Sequence, residues 1–319
     1  MVNITETAFS DIYISVPERK AYIPDKTTFN ALMEFDPEDF DVFLDLLERT
    51  YDGKNTSFSV LYNDILYRVE RSLAISGVQY CARKMPKEVP SIRTLGYPND
   101  LVNYLLGLRR SSGLILLAGP TGSGKTTTIS ALLKEYLIKE GGFAYTIEDP
   151  TEQPLDGVYK VETGGLGVCK QTLPKNGVWG ESLKSALRSK PRYIMLGEIR
   201  SSDAASEVLR AATSGHLVLA TIHANNVTDA INAVVKYASS SDMSEDLAYD
   251  LISRGLLGVI HQNLVGRGLK KPIISFLFPN PDTSAGDQIR GIIKSGKLNL
   301  ATSIEQQMIR MNKGLDLFS

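Results

Sequence analysis

From about residue 96 onward, short apolar runs alternate with segments whose apolar residues recur at helical spacing. Each run is about as long as one strand. Strands that are apolar along their whole length and separated by helices are typical of a parallel sheet covered on both faces, with right-handed crossovers. The runs are LILLA (Leu114–Ala118), FAYTI (Phe143–Ile147), YIML (Tyr193–Leu196) and HLVLATI (His216–Ile222), and helical patterns start near Thr126, Leu183, Ala204 and Asp229.

The C-terminal part continues this mixture. The pattern predicts a helix over Ser244–Gln262, an apolar strand at Ile273–Phe278 and a mostly helical tail from Gln288. Together with the preceding segments, this predicts an α/β domain from residue 96 to residue 319.

The first part of the chain has a different pattern. Phe40–Tyr51 carries apolar residues at helical spacing, whereas Ser57–Tyr62 and Val78–Met85 alternate as strands do. A small α+β domain follows from this mixture. Three prolines, at 86, 90 and 98, then suggest a linker, so we expect a domain of residues 1–95 and a boundary near residue 95.

The charge, the cysteine count and the lengths of the apolar stretches limit which classes of function the chain can have. The chain has 319 residues and a formal net charge of −1, so no overall positive charge attracts it to nucleic acid, and we expect no direct nucleic-acid partner. Cys81 and Cys169 are the only cysteines, which favours a reducing cytosol and excludes a paired-cysteine zinc site. No stretch reaches the roughly 18 apolar residues of a transmembrane helix. We therefore expect a cytoplasmic protein whose membrane contact is peripheral.

The segment GPTGSGKTTT (Gly119–Thr128) predicts a phosphate-binding loop between a strand and a helix. Its glycines allow the backbone N–H groups to point inward at the positive end of the following helix. Lys125 is expected to reach the β- and γ-phosphates of a nucleotide, and the Thr126 hydroxyl to bind Mg²⁺. The predicted nucleotide-binding residues are Pro120, Thr121, Gly122, Ser123, Gly124, Lys125, Thr126 and Thr127.

Two carboxylates follow apolar strands, at the edge of a parallel sheet where ligands bind. Glu148, beside Asp149, is placed to hold Mg²⁺ or its waters, although an acidic turn before Pro150 would look the same. Glu198 is placed to orient the attacking water, with a surface salt bridge to Arg200 as the alternative.

Two histidines flank the apolar run Leu217–Ile222. His223, at its C-terminal end, could donate to a γ-phosphate, whereas His216 lies at the opposite end. A single histidine is more often structural than catalytic, so that alternative stays open for both.

Taken in order, GPTGSGKTTT, TIEDPTE, the strand ending in GEIR, and GHLVLATIH resemble the Walker A, Asp box, Walker B and His box of the secretion and pilus motor ATPases of type II and type IV systems. The similarity runs from about Tyr67 to Ile293. It implies a RecA-like P-loop NTPase domain behind a small PAS-like α+β domain, assembled as a hexameric ring that uses ATP and Mg²⁺. It also implies that Glu198 is the catalytic carboxylate, Glu148 its partner and His223 a γ-phosphate sensor.

The same family supplies arginines from the N-terminal domain to a nucleotide, often that of a neighbouring subunit. Arg68 and Arg83 match that pattern best, with ordinary surface cations as the alternative. An arginine reaching a bound nucleotide in this way would stabilise negative charge in the transition state.

The missing paired cysteines point away from the pilus-assembly branch of the family. Asp287–Lys297 resembles the AIRNLIRE helix of PilT-like retraction motors, although Gly291 replaces an asparagine. We therefore expect a motor that powers type IV pilus retraction with a platform protein of the inner membrane. An ATPase of a type IVB secretion or conjugation system is the alternative. The segment Val161–Gly180 departs from the family pattern and looks like an altered or enlarged loop.

Two other kinds of protein stay open. A nucleic-acid translocase on the same core would require a basic channel, which the near-neutral charge does not favour. The other is a platform that binds ATP and barely hydrolyses it, and the presence of Glu198, a candidate catalytic carboxylate, argues against that class.

Overall fold

The computed structural model describes residues 2–25, 31–240, 243–266, 271–281 and 286–318. Its internal contacts divide the chain into two compact units. The first unit comprises Met1–Glu88 and Pro150–Pro154, and the second comprises Val89–Asp149 and Leu155–Ser319.

The first unit is an antiparallel sheet with one helix. Helix α1 buries Phe43, Leu44 and Leu47 in one apolar core with alternate residues of the strands, such as Ile12 and Ile14. This agrees with the α+β mixture read from the sequence. The elements are β1 (Asp11–Ser15), β2 (Lys20–Pro24), β3 (Leu32–Phe35), α1 (Phe40–Thr50), β4 (Ser57–Tyr62), β5 (Ile65–Ala74) and β6 (Gly77–Lys84), in sheet order β3-β2-β1-β6-β5-β4.

The second unit contains an eight-stranded sheet in the order β14-β13-β7-β12-β11-β8-β10-β9. The six inner strands run parallel, and β14 and β9 add antiparallel edges. The predicted mixed α/β architecture is therefore confirmed. The strands are β7 (Gly113–Ala118), β8 (Gly142–Ile147), β9 (Gly157–Lys160), β10 (Leu166–Thr172), β11 (Tyr193–Leu196), β12 (Leu217–Ile222), β13 (Leu256–Val265) and β14 (Lys271–Leu277).

Helices cover both faces of this sheet. In β7, Leu114 and Leu116 face one apolar core, and Ile115 and Leu117 face the other. Because both faces are buried, the strand is apolar throughout, as the sequence pattern indicated. The helices are α2 (Asn99–Gly107), α3 (Lys125–Glu140), α4 (Trp179–Arg188), α5 (Ser202–Ala212), α6 (Val227–Ser239), α7 (Glu245–Gly255), α8 (Gln288–Lys294) and α9 (Ala301–Asn312).

Two sequence predictions were wrong in part. The helix predicted over Ser244–Gln262 ends at Gly255, and Leu256–Val265 forms β13 beside β7. A run buried on both faces shows neither the period of a helix nor that of a strand, so its pattern could not distinguish the two. The altered loop expected over Val161–Gly180 contains β10, which pairs in parallel with β8.

The units divide between Glu88 and Val89, a few residues before the boundary expected near residue 95. Val89, Ile92 and Tyr97 are buried in a core of the second unit. The proline-rich segment is therefore largely part of that unit rather than a solvated linker.

The carboxyl ends of the parallel strands gather at one edge of the sheet. Ala118, the last residue of β7, lies opposite Ile222 of β12, and Ile147 of β8 lies opposite Leu196 of β11. The residues that follow these strands therefore meet where parallel sheets bind ligands. No helix in the described ranges is long and apolar enough to cross a membrane.

Candidate active site

The glycine loop joins β7 to α3 and is shaped by residues with positive φ. Gly119, Gly122 and Gly124 have φ of 150°, 75° and 83°. At Gly119 a Cβ atom would lie 2.2 Å from the backbone oxygen of Gln262, so only glycine fits beside β13. The N-cap residue of α3 is Gly124, which has no side chain to cap the helix, and the first turn contains no acidic residue. The positive end of the helix dipole therefore faces the loop without a carboxylate from its own first turn, which suits an anion.

Lys125 begins α3 and lies inside the curve of this loop. It is 7% exposed, and its Nζ donates to the carbonyl oxygens of Gly119 and Pro120, both at 2.9 Å. The same nitrogen lies 3.5 Å from His223 Nδ1. A buried ammonium at the start of a helix creates a local positive potential that suits a polyphosphate.

His223 links the lysine to a carboxylate. Its Nε2 lies 3.3 Å from Oε1 of Glu198, so the imidazole stands between Lys125 and Glu198. The alternative salt bridge of Glu198 with Arg200 is not what forms, because Arg200 pairs with Asp149 at 3.4 Å. Glu198 is held instead at the mouth of the glycine loop by a histidine from the neighbouring strand end.

Glu148 is buried at the end of β8. It is 1% exposed, and its Oε1 accepts hydrogen bonds from Thr146 Oγ1 at 2.7 Å and Gln171 Nε2 at 2.9 Å. A Cβ on Gly197 would come within 3.2 Å of Glu148 Cγ, so the glycine before Glu198 lets the two strand ends approach. These contacts are unlike the solvated acidic turn that was the alternative.

The remaining loop residues differ in exposure. Pro120 and Thr121 are exposed, whereas Ser123 is 2% exposed, and among the described residues its hydroxyl has no hydrogen-bond partner. Thr126 and Thr127 lie half-buried in the first turn of α3.

The donors near Thr126 fit a magnesium ion that is shared with a nucleotide. Mg²⁺ needs few protein ligands when phosphate oxygens and waters complete its octahedron, and hydroxyl and carboxylate oxygens are the hard donors it prefers. Within the described ranges, no group of three or more His, Cys, Asp or Glu residues could hold a metal by itself.

Sequence reasoning missed three residues near the loop. Gln262 and His261 lie in the part of β13 that was predicted to be helical, and Tyr97 lies in the proline-rich segment. Burial is the main cause that lowers the pKa of His261, and the positive charge of Lys125 adds to that effect. An interpretation of Leu256–Gln262 as a buried strand would have placed His261 opposite Ala118, at the site.

His216 lies at the other end of β12, away from the loop. Its ring Nδ1 is 3.1 Å from Ser214 Oγ, and its carbonyl accepts from the backbone N–H of Gly113 at 2.9 Å. Burial lowers its pKa. These contacts support the structural alternative for this histidine.

Arg68 and Arg83 belong to the first unit. They lie directly opposite each other on β5 and β6, and Arg83 pairs with Asp11 at 2.8 Å. That hydrogen bond raises the pKa of Arg83. In the part of the chain that the structure describes, no carboxylate pairs with Arg68 within salt-bridge distance.

The segment compared with AIRNLIRE forms α8 and the residues around it. Arg290 Nη1 donates to the carbonyl oxygens of Ser253 at 2.6 Å and Arg254 at 3.0 Å, and Lys294 pairs with Asp250 at 3.1 Å. Arg290 thus contacts the last carbonyl groups of α7, whereas Lys294 pairs with a carboxylate in the middle of that helix.

Comparison with known families decides where this arrangement belongs. A family model described as Type II/IV secretion system protein matches residues 49–273, which include the glycine loop, Glu148, Glu198 and His223. The chain belongs to this family. The recognised superfamily is thereby confirmed, although Asp287–Lys297 lies outside the matched residues.

Members of the secretion-system family with similar sequences include pilus, secretion and competence proteins. The type IV pilus assembly ATPase PilB of Thermus thermophilus is 32% identical over 202 residues, covering 63% of this chain and 21% of PilB. The type II secretion system protein HxcR of Pseudomonas aeruginosa is 34% identical over 194 residues, covering 60% and 38%. The competence protein ComGA of Halalkalibacterium halodurans is 41% identical over 152 residues, covering 46% and 41%. The chain thus spans less than half the length of these relatives.

Two solved structures match nearly the whole chain. The pilus retraction motor PilT with bound ADP has a TM-score of 0.73 and 26% identity, covering 96% of this chain and 90% of that one. The ATPase DotB of Legionella pneumophila has a TM-score of 0.70 and 22% identity, covering 96% and 88%, and at that identity it shows the fold alone.

Proposed function

We propose that this chain binds ATP with Mg²⁺ and hydrolyses it on a RecA-like P-loop core. The observation that carries the proposal is the line of side chains from Lys125 through His223 to Glu198 at the mouth of the glycine loop. Such a line brings a cation for phosphate, a hydrogen-bond donor and a carboxylate for water to one place.

Each residue has a role that its position supports. Lys125 and the N–H groups of the loop bind the β- and γ-phosphates. The hydroxyl of Thr126 would hold Mg²⁺, which neutralises phosphate charge when bound. Glu198 orients the attacking water, and His223 holds Glu198 through Nε2. When a nucleotide is bound, the same imidazole N–H would turn to donate to the γ-phosphate. Glu148, fixed by Thr146 and Gln171, would supply a second carboxylate to the metal or its waters.

The test is phosphate release from ATP by the purified chain. Lys125→Ala removes the buried cation and Glu198→Gln removes the carboxylate, so we expect each to lower turnover by about 100-fold or more, the range seen for such groups. Lys139→Ala, at the far end of α3, and Glu181→Gln, in the first turn of α4, are matched controls that should keep wild-type turnover. Normal hydrolysis by Lys125→Ala or Glu198→Gln would overturn the assignment.

We further propose that copies assemble as a hexameric ring in which Arg68 and Arg83 of one copy approach the nucleotide of the next. The absence of a paired carboxylate at Arg68 among the described residues favours Arg68 as the cation that is available. Arg83, already bound to Asp11, is better suited to holding that part of the sheet.

The work that we propose for the ring is retraction of type IV pili by a cytoplasmic motor at an inner-membrane platform protein. The similarity to a structure named as a pilus retraction motor supports this role. Pili counted by electron microscopy in the host, with the wild-type gene and with Lys125→Ala, test it together with a motility assay. More pili with less motility in the variant is the expected result, and unchanged pili would refute retraction.

The alternative is an ATPase that drives substrate transport in a type IVB secretion or conjugation system. Relatives named as type II secretion proteins show that family members of similar sequence are not all pilus motors. Substrate export that fails in Lys125→Ala while pili are unchanged would favour this role. ATP hydrolysis that is stimulated by DNA would favour a nucleic-acid translocase. ATP binding without hydrolysis would favour a structural platform.

A further inference from the structure

Gln262, in β13, makes a buried polar contact with the glycine loop. The residue is 2% exposed, and its side-chain Nε2 donates to the backbone oxygen of Ser123. Its Oε1 accepts from Thr128 Oγ1 at 3.0 Å and from the Tyr97 hydroxyl. Both ends of the amide are therefore engaged, which is how a buried amide avoids the cost of unpaired polar atoms.

The bond to Ser123 fixes more than one oxygen atom. A peptide group is planar and trans, so the carbonyl of Ser123 and the N–H of Gly124 point in opposite directions. Because Gln262 lies on β13, holding the Ser123 carbonyl against it turns the Gly124 N–H to the side away from Gln262. The Ser123–Gly124 peptide is thereby held in one orientation, which leaves its N–H on the side where a phosphate could accept from it.

The same residue also contacts the start of the loop. A Cβ on Gly119 would lie 2.2 Å from the Gln262 backbone oxygen, and one on Gly124 would lie 3.0 Å from its Nε2. Both ends of the loop thus rest against Gln262, one against its main chain and the other against its side chain.

Tyr97 connects this contact to the segment that precedes α2. The tyrosine is 6% exposed, and burial raises the pKa of its phenol, which therefore stays a hydrogen-bond donor. Its hydroxyl also lies 3.4 Å from Thr128 Oγ1. Gly96 is packed against Pro272 of β14, where a Cβ would be 3.2 Å from the proline ring. The segment before α2 is therefore in contact with β14 through Gly96 and with the amide of Gln262 through Tyr97.

We propose that Gln262 is a positioning residue for nucleotide binding, and that Tyr97 sets its orientation, so that the segment before α2 controls the affinity of the loop for phosphate. The proposal rests on the nucleotide-binding function proposed above. Gln262 does not touch the reacting atoms. It acts through the Ser123–Gly124 peptide.

The test measures binding of ADP with Mg²⁺ by calorimetry to the full chain and its variants. Gln262→Met keeps the length of the side chain and removes both hydrogen-bonding ends, so we expect about tenfold weaker binding, the effect of ~1.4 kcal/mol. Tyr97→Phe removes a single donor to the amide and should weaken binding about threefold.

Tyr136→Phe is the matched control. Tyr136 is also fully buried, on α3, and its hydroxyl donates to the Leu105 carbonyl at 2.7 Å, away from the loop. We expect it to lower the melting temperature about as much as Tyr97→Phe does, while ADP binding stays within twofold of the wild type. A purely structural role for Tyr97 would give the two variants the same profile.

Steady-state kinetics provide a second measurement. A backbone N–H that binds phosphate in the ground state and the transition state alike affects KM rather than kcat. Gln262→Met and Tyr97→Phe should therefore raise KM for ATP and leave kcat within about twofold, in contrast to the loss of kcat expected for Glu198→Gln.

The outcomes separate the two proposals. ADP affinity within twofold of the wild type in folded Gln262→Met and Tyr97→Phe would overturn the positioning role alone. Equal weakening by Tyr136→Phe would do the same. If Gln262→Met does not fold, Tyr97→Phe decides. A wild-type chain that binds no nucleotide would overturn the proposed function, and the positioning role with it.

Discussion

The tight contact at Gly119 gives a prediction whose size can be worked out from the structure. In Gly119→Ala the new methyl carbon would lie 2.2 Å from the Gln262 backbone oxygen and 2.8 Å from Ser123 Oγ. Carbon and oxygen atoms ordinarily approach to about 3.3 Å at closest, so the loop and β13 would have to separate by roughly 1 Å. The first neighbour is backbone, which cannot rotate away as a side chain can.

Two costs add at this position. Overpacking a close contact costs about 1–3 kcal/mol, and placing a residue with a Cβ at a backbone conformation normally restricted to glycine costs about 1–3 kcal/mol. The φ of Gly119 is 150°. We therefore expect Gly119→Ala to destabilise the second unit by about 2–6 kcal/mol, which corresponds to a melting temperature lower by roughly 5–20 °C.

Gly122→Ala is the matched control in the same loop. Its φ is 75°, and no described atom lies within 4 Å of a Cβ at that position. Only the cost of a left-handed backbone remains, about 1–2 kcal/mol. Thermal unfolding followed by circular dichroism, with ADP titrated into each folded variant, compares the two. A Gly119→Ala protein that melts within 2 °C of Gly122→Ala would show that the contact with β13 is not as close as described.

Three further predictions follow from burial and pairing. Glu148→Gln should reduce kcat for ATP hydrolysis by about 100-fold, whereas Asp149→Asn, changing the exposed neighbour, should reduce it by less than about threefold; equal losses would refute the distinction. Burial lowers the pKa values of His216 and His261 in the folded protein, so the unfolded chain binds more protons in the window between pH 6.5 and those lowered values. Stability should therefore fall as pH drops through that window, and His216→Gln should weaken this dependence in melting curves, whereas an unchanged dependence would contradict the reasoning. Arg68→Ala should lower kcat at protein concentrations where copies associate, as measured by activity against protein concentration, and should leave the ADP affinity of the isolated chain unchanged. Activity equal to that of the wild type at every concentration would count against a role between copies.

The sequence predicted the parts of the site whose chemistry is local. Gly119–Thr128 carries its strand, turn and helix within one short motif, and Glu198 and His223 each follow an apolar run that could only be a buried strand or helix. Once those runs are strands of one parallel sheet, their carboxyl ends have to meet. The proximity of Lys125, His223 and Glu198 was therefore predictable without coordinates.

The support of the loop was not predictable in that way. Gln262 lies 139 residues after Ser123, the residue it binds, and nothing local marks a glutamine in an apolar run as a partner of the loop. Its segment was also assigned to a helix, because Leu256–Ile260 is apolar at almost every position. The contact of Tyr97 with the loop was not predicted for another reason, because prolines on either side of it suggested a linker between domains. Both errors arise where tertiary burial overrides the local pattern.

The edges of the eight-stranded sheet have a consequence for how copies can associate. β9 is only four residues long, and β14 begins with a lysine and a proline, which lacks the N–H that another strand would pair with. Short, charged or proline-containing edges discourage strand-to-strand fusion between molecules. In the assembly proposed above, these two edges would favour contacts through side chains, which can break and re-form without disrupting a continuous backbone ladder.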